Sequence, residues 1–453
     1  MPRPGPVPAT SVSGPPPGGP PRGGGARGRG HGVRAARLVT LLGPAFVAAI
    51  AYVDPGNVAA NLTAGARFGY LLVWVLVAAN VMAVLVQYLS AKLGVVTGRS
   101  LPEVLADRMS RRGRVAYWVQ AEVVAMATDL AEVIGGAIAL HLLFGVPLVL
   151  GGVITGVVSM LVLTVQQRRG QRVFESVVTS MLVVLTIGFC AGLFFAPPDP
   201  GAVLQGLVPR LDGPESVLLA ASMLGATVMP HAIYLHSSLA RDRVRHDARV
   251  REARRLARGD VAAAGEPQVT TIRRLLTATR WDVVAALVVA GGVNIAMLLL
   301  AAANLPGRTG TDSIEGAHAA IAESLGPVVA VLFGVGLLAS GLASTSVGAY
   351  AGAEIMAGLL RVRVSLLTRR LVTLVPAIVL LATGISPTWM LVISQVVLSF
   401  GIPFAMIPLV RVTRDAGLLG EHRNALGTQV AAWVVAGVIV ALNVALLWLT
   451  FTA

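Results

Sequence analysis

The stretch Asp54-Pro55-Gly56-Asn57 sets a carboxylate and a side-chain amide around a helix-breaking proline, about 16 residues into an apolar run. Proline has no amide hydrogen and crowds the preceding turn, and Gly56 relaxes the backbone, so a helix is expected to unwind here and release carbonyls such as that of Ala51. Unwound backbone at membrane depth is tolerated only where it faces protein or a watery cavity. Carboxylate, amide and carbonyl oxygens then converge as a cation site. Later in the chain Gly225-Ala226-Thr227-Val228-Met229-Pro230-His231 forms a second proline break, beside a thioether and an imidazole. A third group is Glu122, Asp129 and Glu132. At about 100° per residue they share one helix face. Like charges on a dry face repel, so they call for water or basic partners. Arg369 and Arg370 are the candidate partners. A chain of titratable groups from mid-membrane to one surface is the chemistry of a proton route, the alternative being a structural ion-pair network.

The elements that hold these residues are membrane helices. Of the 453 residues 55% are hydrophobic and 13% charged, against about 25% charged in soluble domains. Apolar runs of about 20 residues suffice to cross a bilayer. They fall near 38–65, 69–92, 115–142, 145–167, 173–196, 214–240, 281–304, 325–360, 366–385, 388–411 and 427–452. The fold class read from this is an all-α polytopic membrane protein with eleven transmembrane helices. Alternating strands of a β-barrel are absent.

The net charge of +14 would suggest nucleic acid in a soluble protein, but the basic residues sort by side. With the N-terminus placed in the cytoplasm, 33 of the 36 Lys and Arg lie inside and only Arg67, Arg210 and Arg308 outside. The positive-inside rule then gives a cytoplasmic N-terminus and an extracytoplasmic C-terminus in a plasma membrane, with lipid rather than nucleic acid as the partner. Residues 1–37 read as a disordered basic cytoplasmic tail. The basic loop over 241–280 reads as partly helical along the membrane surface. A single cysteine, Cys190, excludes an intrachain disulfide.

An ionised residue at mid-membrane costs about 2.5–3.5 kcal/mol, so each needs a reason. Asp54, Glu122, Asp129 and Glu132 are the carboxylates that need one. Glu175, Glu215 and Asp282 stand within two residues of a span start, where water is in reach, and Glu354 is intermediate. The two proline breaks sit at comparable depths in spans 1 and 6. Spans 1–5 (38–196) and 6–10 (214–411) therefore read as two repeats, inverted because five is odd, with span 11 (427–452) added. Interrupted helices at matching positions of two halves point to a transporter's midplane site.

Asp54-Pro55-Gly56-Asn57 and Met229-Pro230-His231 resemble the paired motifs of the Nramp (natural resistance-associated macrophage protein) family of divalent-metal transporters. Gly65-Ala66-Arg67-Phe68-Gly69-Tyr70, Thr97-Gly98-Arg99-Ser100-Leu101-Pro102-Glu103, Ala127-Thr128-Asp129-Leu130-Ala131-Glu132 and Ser394-Gln395 through Gly401-Ile402-Pro403-Phe404 are similar to further family stretches. The resemblance covers about 38–450. It implies a LeuT-like fold with discontinuous helices 1 and 6. It also implies metal ligation by Asp54, Asn57 and Met229 with the Ala51 and Ala226 carbonyls, joined by Gln395 in some conformations. His231, Glu132, Asp129, Glu122, Arg369 and Arg370 match proton-pathway positions, and Asn294 a polar gating position. One departure is Gly352-Ala353-Glu354, where the family pattern has an amide-bearing residue after the glycine; it is expected to lie away from the site.

The function so implied is proton-coupled import of Mn²⁺ or Fe²⁺, the metal being cargo rather than cofactor. A thioether favours softer ions than Mg²⁺ or Ca²⁺. Competing readings are a sodium-coupled transporter of a small organic substrate on the same fold and a metal sensor without flux. An intramembrane metalloenzyme is disfavoured, because His231 and His236 are spaced i, i+5 rather than i, i+4 with an adjacent glutamate. Nothing in the sequence identifies a protein partner.

Overall fold

A computed structural model describes residues 44–452, except 170, 258–267, 309, 312 and 363. The tail expected over 1–37 and the first residues of span 1 lie outside the described residues. In chain order the helices are α1 (Pro44–Ile50), α2 (Pro55–Phe68), α3 (Val73–Thr97), α4 (Leu101–Arg108), α5 (Arg111–Phe144), α6 (Leu148–Arg169), α7 (Gln171–Phe195), α8 (Pro200–Gly206) and α9 (Gly213–Thr227). They continue with α10 (Pro230–Ala257), α11 (Gln268–Asn304), α12 (Ile314–Leu325), α13 (Pro327–Leu360), α14 (Leu366–Ala382), α15 (Pro387–Arg414), α16 (Ala416–Leu419) and α17 (Leu426–Thr452). No strand occurs among the described residues.

Eight helical stretches among the described residues are long and apolar enough to cross a membrane. The other three expected positions hold the broken pair α1–α2, the shorter apolar helix α6 and α14. Every backbone polar group must be satisfied within the lipid core, and where proline interrupts a helix the chain caps itself. Asp54, extended at φ −83° and ψ 168°, is the N-cap of α2 with Pro55 at the first helical position. That position needs no amide hydrogen. Val228 ends α9 at φ −103° and ψ 65°, and Pro230 opens α10 two residues on. After α3, Gly98 takes φ 62°, which only glycine adopts at no cost. Ser100 and Glu103 then start α4 with reciprocal capping bonds.

The core runs through the centre of the bundle. There α13 packs along α5 and α7, α11 along α2 and α3, and α9 along α15. The loop expected over 241–280 is helical over its described parts, α10 continuing to Ala257 and α11 starting at Gln268. That early start corrects the reading of Asp282. It lies well inside α11, is 3% exposed and accepts a hydrogen bond from the Ala45 amide at 3.3 Å, so it does not reach water. The short helices α4, α8 and α12 were not marked in the hydropathy pattern, since each is too short to form a span.

Candidate functional site

The two helix breaks meet. Asp54 Oδ1 accepts the Asn57 amide (2.7 Å) and one Asn57 Nδ2 hydrogen (2.7 Å), while Asn57 Nδ2 also donates to the Ala226 carbonyl at 3.0 Å. A proline at position i removes the donor to carbonyl i−4. Pro55 therefore strands Ala51, and Pro230 strands Ala226. From α15, Gln395 donates Nε2–H to Asp54 Oδ2 at 3.0 Å. Met229 lies in the two-residue gap between α9 and α10. None of Ala51, Asp54, Asn57, Ala226, Met229 and Gln395 is more than 1% exposed, so the site is closed from both faces.

Two oxygens in this cluster, Asn57 Oδ1 and Gln395 Oε1, are buried with no hydrogen-bond partner among the described residues. A buried acceptor without a donor costs about 1–3 kcal/mol, so the two amides that donate to Asp54 each carry an oxygen that a cation would satisfy. Among the described residues no group of three or more His, Cys, Asp or Glu side chains is placed to hold a metal. The groups brought together here are instead one carboxylate, two side-chain amides and a backbone carbonyl, with Met229 buried in the adjoining gap. Gly56 departs from its expected part. It lies in regular helix, without positive φ, and its lack of a side chain makes room for Gln395, whose Cγ would stand 2.7 Å from a Cβ at this position.

Near the site, His231 Nδ1 and Thr128 Oγ1 are 3.3 Å apart. Glu122 pairs with Arg369 at 2.8 Å, and Asp129 with Arg370 at 3.3 Å. Arg370 is the largest fully buried side chain among the described residues and also donates Nε–H to the Ser159 hydroxyl at 3.0 Å. Glu132 Oε2 has no hydrogen-bond partner among the described residues. Its carboxylate lies against Gly348, where a Cβ would come within 2.9 Å of Oε1. Removing one partner of a buried ion pair strands the other charge. Arg370→Met is accordingly expected to cost about 3–5 kcal/mol, read as a large fall in Tm of the purified protein in detergent. An unchanged Tm would exclude the Asp129 pair as a structural tie.

Asn294 of α11 reaches across the first break. It donates Nδ2–H to the Tyr52 carbonyl at 2.6 Å and accepts from Asn61 Nδ2 at 2.9 Å. Sequence reasoning missed a second tie: Gln87 of α3 donates to the Tyr52 hydroxyl and meets His236 Nδ1 through its Oε1 at 2.7 Å. A neutral amide at mid-span was the available signal, but Gln87 stands beside no proline break that would single it out.

Glu354 lies apart from this cluster. Arg241 joins it at 2.9 Å, together with Glu103 at 2.7 Å and Asp242 at 2.8 Å, beside a cavity of about 510 Å³. A second cavity of about 290 Å³ lies at the opposite end of the broken helix α9–α10, among Thr63, Arg67, Glu215, Leu219 and Thr388, with Arg67 paired to Glu215.

A family model described as natural resistance-associated macrophage protein-like matches residues 45–449. The divalent metal cation transporter MntH of Mycobacterium tuberculosis is 61% identical over 412 residues, covering 91% of this chain and 92% of that relative. Its namesake in Bacillus subtilis is 44% identical over 419 residues, covering 91% and 93%. Among solved structures, a manganese transporter of Eremococcus coleocola aligns with a TM-score of 0.78 at 29% identity, over 92% of this chain and 87% of that one. The all-helical, LeuT-like membrane fold read from the sequence is the fold of this neighbour.

Proposed function

Because this chain belongs to the Nramp family of membrane transporters, we propose that it imports divalent transition-metal ions, Mn²⁺ and Fe²⁺, across the plasma membrane with proton coupling. The observation that carries the reading is the pair of buried amide oxygens without a partner among the described residues, Asn57 Oδ1 and Gln395 Oε1, on the two amides that donate to Asp54. The relatives that supply the substrate class are divalent metal cation transporters and a manganese transporter.

The proposed ligands are Asp54, Asn57, Met229 and Gln395 with the carbonyls of Ala51 and Ala226. One carboxylate among neutral donors binds weakly enough to release cargo each cycle. Met229 favours Mn²⁺ or Fe²⁺ over the hard ions, which prefer all-oxygen shells. The cavity near Glu215 serves as the outer vestibule and that near Arg241 as the inner one, and the half-helices α1, α2, α9 and α10 rearrange between them. Asn294 gates by holding α11 to the first break.

A proton taken up beside Asp54 leaves by way of His231 and Glu132 toward Asp129 and Glu122, with Arg370 and Arg369 fixing the last two. Glu132, the one of the three without an ion pair among the described residues, is the group fit to take and pass a proton. The sorting of basic residues supports the cytoplasmic N-terminus and extracytoplasmic C-terminus.

The test is Mn²⁺ uptake into proteoliposomes with and without a pH gradient. Saturable uptake, accelerated when the outside is acidic, is expected. Binding without net flux would make the protein a sensor, and flux indifferent to the gradient would remove the proton from the scheme. In the same assay Met229→Ala is expected to reduce discrimination of Mn²⁺ over Ca²⁺ by about tenfold or more, the scale of one side-chain contact in a pocket. Unchanged discrimination would sink the thioether argument.

A further inference from the structure

Helix α15 carries Gln395 and two interior prolines, Pro403 and Pro408. Neither can donate to the carbonyl four residues earlier, so Pro403 strands the carbonyl of Ser399 and Pro408 that of Phe404. Each stranded carbonyl has a side-chain donor from another helix. Asn443 of α17 donates Nδ2–H to the Ser399 carbonyl at 2.9 Å and accepts the Ser399 hydroxyl at 2.7 Å. Tyr117 of α5 donates its hydroxyl to the Phe404 carbonyl, and that hydroxyl is also 2.8 Å from the Tyr234 hydroxyl of α10. Polar side chains in lipid-facing helices are retained where they satisfy such freed backbone groups.

Ser399 lies one turn beyond Gln395 on the same face of α15. The surroundings leave this turn no slack. A Cβ at Gly225, near the end of α9, would stand 2.8 Å from the Ser399 amide nitrogen and 2.9 Å from its Cβ. One at Gly401 would stand 3.1 Å from Cγ of Pro230, the residue that breaks helix 6. The weakened stretch of α15 is thus pressed against the second break, and Asn443 holds the same turn.

We infer that Asn443 is a positioning residue for the metal site: by capping the carbonyl stranded by Pro403, it sets the course of α15 and so the reach of Gln395 to Asp54. Helix α17 lies outside both five-helix repeats, yet through this contact it acts on cargo binding. The inference rests on the proposed transport function and on Gln395 as a metal ligand.

Saturation of Mn²⁺ uptake in proteoliposomes tests it. Asn443→Leu is expected to raise KM about threefold to tenfold, the scale of one interhelical hydrogen bond in a membrane, with maximal rate held within about twofold. In a Gln395→Ala background Asn443→Leu should add nothing, because residues acting through one contact are not additive. Pro403→Ala restores the missing backbone donor and should return KM of the Asn443→Leu protein toward that of the parent. An unchanged KM, a full further rise in the Gln395→Ala background, or no return with Pro403→Ala overturns the proposal.

Hydrogen exchange over residues 396–407 of the full-length protein supplies a readout independent of transport. Exchange should quicken in Asn443→Leu and slow again with Pro403→Ala, and parental exchange in Asn443→Leu overturns the capping role. If the parent shows no Mn²⁺ uptake, the transport reading fails and the exchange data alone decide the capping. Should Asn443→Leu not accumulate, its accumulation in the Pro403→Ala background supports the proposal, and failure there overturns it.

Discussion

Gly56→Ala is expected to cut Mn²⁺ affinity and uptake by about 100-fold, the upper range for displacing a group that orients a metal ligand. The added methyl would occupy the volume filled by the Gln395 side chain, whose Cγ is 2.7 Å from the Cβ position. Gln395 would have to leave Asp54 Oδ2, taking its unpartnered oxygen with it. Helix propensity runs the other way, since alanine is favoured over glycine in a helix by about 1 kcal/mol. The α2 helix should therefore persist while the site fails. Titration calorimetry with Mn²⁺ and uptake in proteoliposomes measure the two losses. The double variant Gly56→Ala, Gln395→Ala should be no worse than Gln395→Ala alone; a further loss would locate the damage in the backbone, and uptake near that of the parent would refute the steric argument outright.

The second large effect is expected at Glu132. Glu132→Gln keeps shape and removes the titrating group, so Mn²⁺ uptake should persist while its stimulation by an acidic exterior collapses. Coupling between two sites is usually about 5- to 150-fold, and that factor is what should vanish. Gly348→Ala approaches the same group from α13, bringing a methyl to 2.9 Å from Oε1 and 3.1 Å from Oε2. It should weaken the stimulation in the same direction. Simultaneous recording of Mn²⁺ uptake and internal pH separates the fluxes. Full proton stimulation in Glu132→Gln would take this residue out of the route.

The two motifs that break helices were legible because proline acts locally: Pro55 and Pro230 announce where backbone is freed, and polar residues beside them show what the freed carbonyls join. The opposition of Arg369 and Arg370 to the third-span carboxylates was legible from the cost of leaving such charges alone in lipid. Asp282 was misread because the helix begins 14 residues before it, at Gln268, where hydropathy is low. The Tyr52–Gln87–His236 tie and the capping of Ser399 by Asn443 join residues 35, 149 and 44 positions apart. No period along one helix encodes such a meeting. Gly56 was assigned to flexibility because its nearest constraint, Gln395, is 339 residues further on.

The double grip of Asn57 bears on the other half of a carrier's cycle. Its amide hydrogens point at Asp54 Oδ1 and at the Ala226 carbonyl, the groups proposed to face cargo. For its free oxygen to meet the same ion as those two groups, the amide must turn over. Once cargo has departed, the amide can turn back and let its partial positive charge stand in for the ion, so α2 and α9 remain fastened to each other. A carrier built this way resets without holding a bare carboxylate in a dry interior.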